Sequence, residues 1–84
     1  MKITEEQLTR LKEIKRLPER LIYLRMISDT PERAKFASAL GISRQYIYYL
    51  ENGRYKPSLD IVLKYVNYFD ININDLLKIK GGKR

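Results

Sequence analysis

The chain has 84 residues, of which 44% are hydrophobic, so it is long enough for one small domain with a single core. It contains neither cysteine nor histidine, which excludes disulfide bonds, thiolate metal sites and histidine-based acid–base catalysis within it. Seventeen lysines and arginines against ten aspartates and glutamates leave a formal charge of +7, which favours a polyanionic partner such as DNA, RNA or an anionic membrane.

Helical periodicity and capping signals predict six helices along the chain. They cover approximately residues 4–16, 19–28, 31–40, 44–51, 58–69 and 73–79. Thr4 and Gln7 have the spacing of a capping box at the start of the first helix, and Pro18 separates that helix from the second. Asn72 is the predicted cap of the last helix, and Asp70 stands ahead of it at a place that tolerates a left-handed backbone.

The third and fourth helices are short and close together. Thr30 is predicted to cap the third helix, with Pro31 at its first helical position. Gly41 ends that helix because glycine adopts the left-handed conformation common just past a helix terminus, and Ser43 caps the fourth helix. Two short helices joined by a tight glycine turn are the layout of a helix-turn-helix DNA reader.

A longer pattern of spaced residues runs through this segment and beyond it. Its members are Ala37, Gly41, Ser43, Ile47, Leu50, Glu51, Asn52, Gly53, Pro57, Ser58 and Leu59. In these residues and their spacing the chain resembles the Cro/C1-type (lambda repressor-like) helix-turn-helix family of phage and bacterial repressors, over residues 21–77.

The resemblance implies an all-α fold, a compact five-helix DNA-binding domain with an additional N-terminal helix. The expected organisation is the additional helix over residues 1–17, the helix-turn-helix domain over residues 18–79 and a basic flexible tail over residues 80–84. We leave open whether the additional helix packs on its own domain, builds a dimer interface or holds a protein partner.

Base recognition is expected at the start of the fourth helix, because the N-terminal residues of an inserted helix point at base edges. Arg44 matches the two acceptors of guanine, and Gln45 matches the donor and acceptor of adenine. The resemblance also places both residues where such repressors contact bases. The alternative is that one or both contact only phosphate or water.

Three tyrosines on the same helix are weaker candidates for base recognition, namely Tyr46, Tyr48 and Tyr49. They can contact a thymine methyl group or donate a hydrogen bond to phosphate. Packing against the following loop or the first helices is an equally good interpretation for any one of them.

Phosphate contacts are expected at both ends of the helix-turn-helix unit. The candidates are Arg33, Ser43, Asn52, Arg54, Tyr55 and Lys56. The family commonly has glutamine where this chain has Arg33, and one extra residue lies between Arg25 and Ala37 relative to the usual family spacing. For the loop charges, the alternative is a solvated surface.

The remaining apolar residues are assigned to the core. The predicted core is Leu21, Leu24, Phe36, Leu40, Ile47, Leu50, Leu59, Val62, Leu63, Val66, Phe69, Ile71, Leu76 and Leu77. The resemblance further implies that Glu51 pairs with Arg25.

These features predict a sequence-specific regulator of transcription that binds double-stranded DNA, most simply a repressor acting as a homodimer on a palindromic operator. The alternative is an antitoxin-like or adaptor module that binds a protein and for which DNA binding is secondary. No convergent pair of carboxylates and no phosphate-binding glycine loop is present, so we expect no enzyme activity, cofactor or metal. We expect no membrane association and a cytoplasmic, nucleoid-associated location.

Overall fold

The computed structural model describes residues 1–77, which form six α-helices and no β-strand. The helices are α1 (Glu5–Glu13), α2 (Leu17–Ile27), α3 (Arg33–Leu40), α4 (Arg44–Glu51), α5 (Leu59–Phe69) and α6 (Ile73–Leu77). This architecture confirms the predicted all-α fold. The predicted end of the last helix at residue 79 and the basic tail over residues 80–84 lie outside the described residues.

Local capping signals account for where most of the helices begin. The Thr4 hydroxyl accepts a hydrogen bond from the Gln7 amide, and the Gln7 side chain accepts one from the Thr4 amide, so the predicted capping box is present. Ser43 caps α4 and Ser58 caps α5, each by accepting a backbone N–H from the first turn. These starts are determined by residues that are neighbours in sequence.

The predicted start of α3 is wrong. The helix begins at Arg33, its N-cap is Glu32, and no side chain caps it. Thr30 and Pro31 instead belong to the preceding turn, because the Thr30 amide donates to the Ser28 hydroxyl and the Pro31 carbonyl accepts from the Arg25 guanidinium. These two hydrogen bonds hold the segment outside the helix.

Two residues with a left-handed backbone end α3 and α5. Gly41 has φ 77° after α3, and Asp70 has φ 55° after α5. The Ile42 amide then donates to the Ala37 carbonyl, and the Ile71 amide donates to the Val66 carbonyl in the same way. The chain therefore reverses sharply after both helices, and the first reversal places α4 against α3.

One hydrophobic cluster forms the core. It consists of Leu11, Leu21, Leu24, Phe36, Ala37, Leu40, Ile47, Leu50, Ile61, Val62, Tyr65, Val66, Phe69 and Leu76. The Phe36 ring is fully buried in it, 5.8 Å from the Tyr65 ring and 6.1 Å from the Phe69 ring between centroids. Burial of this cluster supplies the main stabilisation of the fold.

The predicted core differs from the observed core along α5. Leu59 is 64% exposed and Leu63 is 40% exposed, so their assignment to the core is wrong. Ile61 and Tyr65, which the sequence interpretation omitted, are buried instead. Side chains four residues apart share a helix face, and α5 turns the Ile61 face inward and the Leu59 face outward. Ile71 and Leu77 are only partly buried.

Helix α1 packs on its own domain. Leu11 is fully buried in the common core. Next to it, the guanidinium of Arg20, which is 1% exposed, donates to the carbonyls of Lys12 and Ile14 at the end of α1 and to those of Asp75 and Leu76 in α6. Burial lowers the pKa of Arg20, and the nearby Asp75 carboxylate opposes that shift. One buried cation therefore joins the ends of two helices.

None of the helices within residues 1–77 combines the length and the apolar character needed to cross a membrane.

Candidate nucleic-acid interface

Helix α4 lies on the surface with one face in the core. Ile47 and Leu50 are buried on its inner side. Arg44, Gln45 and Tyr48 are exposed on its outer side. Arg44 and Gln45, the two leading candidates for base recognition, therefore project from the first turn of α4, next to the Gly41 turn that joins it to α3.

Ser43 combines two tasks at the start of α4. Its hydroxyl oxygen accepts a hydrogen bond from the Tyr46 amide at 3.0 Å, which caps the helix. The residue is exposed, and a hydroxyl retains its own proton as a donor when it accepts a hydrogen bond. Ser43 can therefore cap the helix and still donate to a phosphate oxygen.

A buried charge cluster lies behind α4. Both Glu51 oxygens accept from the Arg25 guanidinium, at 2.6 and 2.9 Å, and the Nε atom of Arg33 donates to Glu51 at 3.1 Å. The pairing of Glu51 with Arg25 that the family resemblance implied is thus confirmed. The Glu51 side chain is 2% exposed and that of Arg25 is 9% exposed. Two arginines around one carboxylate leave this cluster with an excess positive charge.

Arg33, another phosphate candidate, uses part of its hydrogen-bonding capacity to stabilise the fold. Its Nε atom is engaged by Glu51, but 41% of its side chain is exposed. Its guanidinium also lies 5.5 Å from the centre of the Tyr48 ring, a cation–π arrangement. The residue is therefore anchored at one edge and open to solvent at another.

A polar cleft runs between the start of α3 and the start of α4. It is lined by Arg25, Glu32, Arg33, Ala34, Arg44, Gln45 and Tyr48. Three of these side chains are arginines. The cleft joins the first turn of α4 to the buried charge cluster, and its positive charge is suited to an anionic ligand.

The loop after α4 carries the other phosphate candidates. Asn52, Arg54, Tyr55 and Lys56 are all exposed. The Asn52 side chain accepts a hydrogen bond from the Arg54 amide at 3.1 Å, so part of its capacity shapes the loop. The Arg54 guanidinium lies 5.1 Å from the centre of the Tyr49 ring. The charged ends of Arg54 and Lys56 remain on the surface.

Four tyrosines form a second surface feature, which we call the tyrosine cluster: Tyr46, Tyr48, Tyr49 and Tyr55. Tyr55 lies 5.8 Å from Tyr46 and 5.0 Å from Tyr49 between ring centroids. Packing against the loop, one of the alternatives that the sequence left open, therefore occurs for both Tyr46 and Tyr49. Tyr48 is 48% exposed.

The sequence interpretation missed one polar contact on the outer face of α4. The Gln45 amide nitrogen donates a hydrogen bond of 2.8 Å to the Tyr49 hydroxyl. The spacing of the two residues is i, i+4, which places side chains on the same face of a helix. That spacing is the signal by which the pair could have been found.

Within residues 1–77, no group of three or more aspartates and glutamates has the arrangement of a metal site.

Comparison with known proteins relates this geometry to a family. A family model described as "Helix-turn-helix" matches residues 32–76, slightly more than half of the chain. The chain belongs to the Cro/C1-type helix-turn-helix family. A relative from Methanocaldococcus jannaschii, named as an uncharacterized HTH-type transcriptional regulator, is 33% identical over 60 residues, which are 71% of this chain and 89% of the relative. No solved structure gives a significant match.

In this helix-turn-helix protein, the matched segment runs from the N-cap of α3 into α6. It contains every residue predicted to contact bases or phosphate. Helices α1 and α2, which supply Leu11, Arg20 and Arg25, lie before the matched segment. Residues that precede the matched segment therefore also contribute contacts that stabilise it.

Proposed function

We propose that this chain is a sequence-specific regulator of transcription that binds double-stranded DNA and represses as a homodimer on a palindromic operator. The observation that carries the proposal is the exposure of Arg44 and Gln45 at the first turn of α4, beside a cleft of arginines. An α-helix fits the major groove, where its first residues reach base edges.

This surface is proposed to make two kinds of contact with DNA, one to base edges and one to phosphates. Arg44 and Gln45 are assigned to the base edges of guanine and adenine, with Tyr46, Tyr48 and Tyr49 as weaker candidates. Arg33, Ser43, Asn52, Arg54, Tyr55 and Lys56 are assigned to phosphate. Phosphate contacts orient the protein and supply affinity that does not depend on sequence, whereas base contacts supply discrimination.

The outer face of α5 supports the homodimer. Leu59 and Leu63 are separated by one helical turn, and both are exposed. Exposed apolar side chains that lie together are a common feature of protein interfaces. In a homodimer of this kind, two recognition helices stand about 34 Å apart, one turn of DNA, so the operator repeats with twofold symmetry.

Selection of bound sites from random double-stranded DNA tests the proposed function. We expect the wild-type chain to enrich a palindromic motif whose half-sites are centred about one helical turn apart. Sedimentation of the protein with the selected site is expected to show two chains for each DNA duplex. The absence of any enriched motif would favour the antitoxin-like or adaptor role, and a single chain bound to a single half-site would contradict the homodimer.

The division between base and phosphate contacts makes a second prediction. Arg44→Ala is expected to reduce the preference for the selected operator over random DNA by about 1–3 kcal/mol at fixed salt. Lys56→Ala is expected to weaken both DNAs equally and to lower the slope of log affinity against log salt by about 1. Fluorescence anisotropy titrations at several salt concentrations measure both effects.

A matched control removes one positive charge from a site outside the proposed DNA-binding surface. Lys2 pairs with Asp70 at the end of α5, and its side chain is 85% exposed. Lys2→Ala is expected to change neither the specificity ratio nor the salt slope. If Arg44→Ala and Lys56→Ala weaken operator and random DNA to the same extent, the division of roles is wrong.

A further inference from the structure

We propose that Tyr49 is a positioning residue for sequence recognition, because it holds the Gln45 amide in the orientation that reads adenine. This inference rests on the proposed function and deepens it. It assigns Tyr49 an effect on specificity that acts through Gln45 rather than through its own contact with a base.

The hydrogen bond between the two side chains orders Gln45 before the protein binds DNA. Gln45 is exposed and has three rotatable bonds, and it would lose this freedom on contacting a base. In the structure its amide nitrogen already donates to the Tyr49 hydroxyl at 2.8 Å. A side chain that is ordered before binding loses less conformational entropy when the complex forms.

The contact with Tyr49 uses only one of the hydrogen-bonding groups of the Gln45 amide. A glutamine side chain has two N–H donors and one carbonyl oxygen. When one N–H is given to Tyr49, the other N–H and the oxygen remain. This donor and acceptor are the pair that matches N7 and the N6 amino group of adenine in the major groove. The contact with Tyr49 therefore leaves the adenine-reading groups available.

Neighbouring side chains hold the Tyr49 ring in place. Its ring lies 5.0 Å from the Tyr55 ring and 5.9 Å from the Tyr48 ring, and the Arg54 guanidinium lies 5.1 Å from its centre. Its backbone carbonyl accepts from the Arg54 amide at 2.9 Å and from the Tyr55 amide at 3.4 Å. Contacts on several sides hold the ring, so its hydroxyl is a fixed point for Gln45.

The tyrosine cluster also provides a matched control. Among the described residues, Gln45 is hydrogen bonded to the hydroxyl of Tyr49 and to no other tyrosine hydroxyl. Tyr49→Phe removes the hydroxyl and keeps the ring packing. Tyr55→Phe removes a hydroxyl from the neighbouring ring and leaves the contact between Gln45 and Tyr49 in place.

Binding measurements with the full chain form the main experiment. The wild type, Tyr49→Phe, Gln45→Ala and the double variant are titrated against the selected operator, the same operator with the adenine–thymine pair read by Gln45 replaced, and random DNA. Tyr49→Phe is expected to reduce discrimination at that pair by about five- to tenfold, with random-DNA affinity unchanged. In the Gln45→Ala background it is expected to cause no further loss. Because Tyr55 is assigned to phosphate, Tyr55→Phe is expected to weaken binding to operator and random DNA by the same factor and to retain wild-type discrimination at that pair.

Nuclear magnetic resonance of the DNA-free protein gives a readout of positioning itself. The side-chain amide of Gln45 is expected to shift and to become more mobile on the ps–ns timescale in Tyr49→Phe. In Tyr55→Phe both the shift and the mobility are expected to match the wild type. A purely structural role of the Tyr49 ring would move neither signal, because phenylalanine keeps that ring.

The outcomes separate this inference from the proposed function. If the wild-type chain selects a motif and Tyr49→Phe retains full discrimination at the Gln45 position, the role of Tyr49 is overturned and the regulator stands. An equal loss in Tyr49→Phe with and without Gln45 also overturns it, because the effect would then not pass through Gln45. If the wild-type chain selects no motif, the proposed function and this role fail together.

Discussion

Replacing Glu51 with alanine is expected to lower the free energy of unfolding by about 3–5 kcal/mol. The carboxylate accepts two hydrogen bonds from the Arg25 guanidinium and one from Arg33. Its loss leaves the Arg25 charge buried without a counter-ion. Such a charge costs far more than a broken surface pair, because only 9% of the Arg25 side chain is exposed to water and it is paired with no other carboxylate within residues 1–77.

Urea unfolding followed by circular dichroism measures this loss. The control is Glu13→Ala, because the Glu13 side chain is 67% exposed and pairs with Arg10 at 3.9 Å. That variant is expected to stay within about 0.5 kcal/mol of the wild type. A Glu51→Ala variant as stable as Glu13→Ala would show that the charge cluster does not support the fold.

Replacing both Arg25 and Glu51 distinguishes the free energy of their attraction from the cost of leaving the Arg25 charge buried and unpaired. Arg25→Met combined with Glu51→Leu is expected to be more stable than Glu51→Ala alone, because no buried charge is left unpaired. The double variant also releases Arg33 from its anchor. Its affinity for DNA can therefore be compared with that of the wild type to show whether Arg33 must be held in place to bind phosphate.

Replacing Arg20 with methionine is expected to lower the free energy of unfolding by about 3–4 kcal/mol. Methionine keeps much of the apolar volume of the side chain but donates no hydrogen bonds. The carbonyls of Lys12, Ile14, Asp75 and Leu76 then lose the donor that they share in the native structure. A carbonyl left without a partner in a buried place costs the full free energy of its desolvation.

The position of Arg20 makes its effect local as well as global. Because it joins the end of α1 to α6, hydrogen exchange of α1 amides is expected to accelerate more than exchange of α4 amides in Arg20→Met. Arg16→Met is the control, since Arg16 is 69% exposed and lies 3.8 Å from Glu19. Equal protection of α1 in both variants would contradict a joining role for Arg20.

The charge cluster around Glu51 bears on the proposed regulator, because it fixes the geometry of α4. Glu51 is the last residue of α4, so the cluster around it fixes the C-terminal end of that helix. Arg33 shares that carboxylate and reaches the polar cleft. The orientation of α4 and the position of a phosphate candidate thus depend on the same buried charge.

Features whose causes are local, or that follow from a spaced family pattern, could be predicted from the amino-acid sequence. Thr4 with Gln7, Ser43 and Gly41 act within one helical turn of themselves, so their roles as caps and as the turn could be predicted. The family pattern then placed Arg44 and Gln45 at the start of α4, and the structure exposes both. The helix-turn-helix unit was predictable to this extent.

Features that depend on partners far away in sequence could be seen only in the folded protein. Arg20 can be buried because carbonyls as far as 56 residues away in sequence accept hydrogen bonds from it, and no short sequence window contains both ends of such a contact. Leu59 and Ile61 are both apolar, and the packing of α5 on the rest of the core decides which one faces water. The sequence predicted Arg33 only as a phosphate contact, and the fold brings Glu51 to it from 18 residues away. A side chain's environment is a sum over neighbours in space, and in this protein the decisive neighbours lie on other helices.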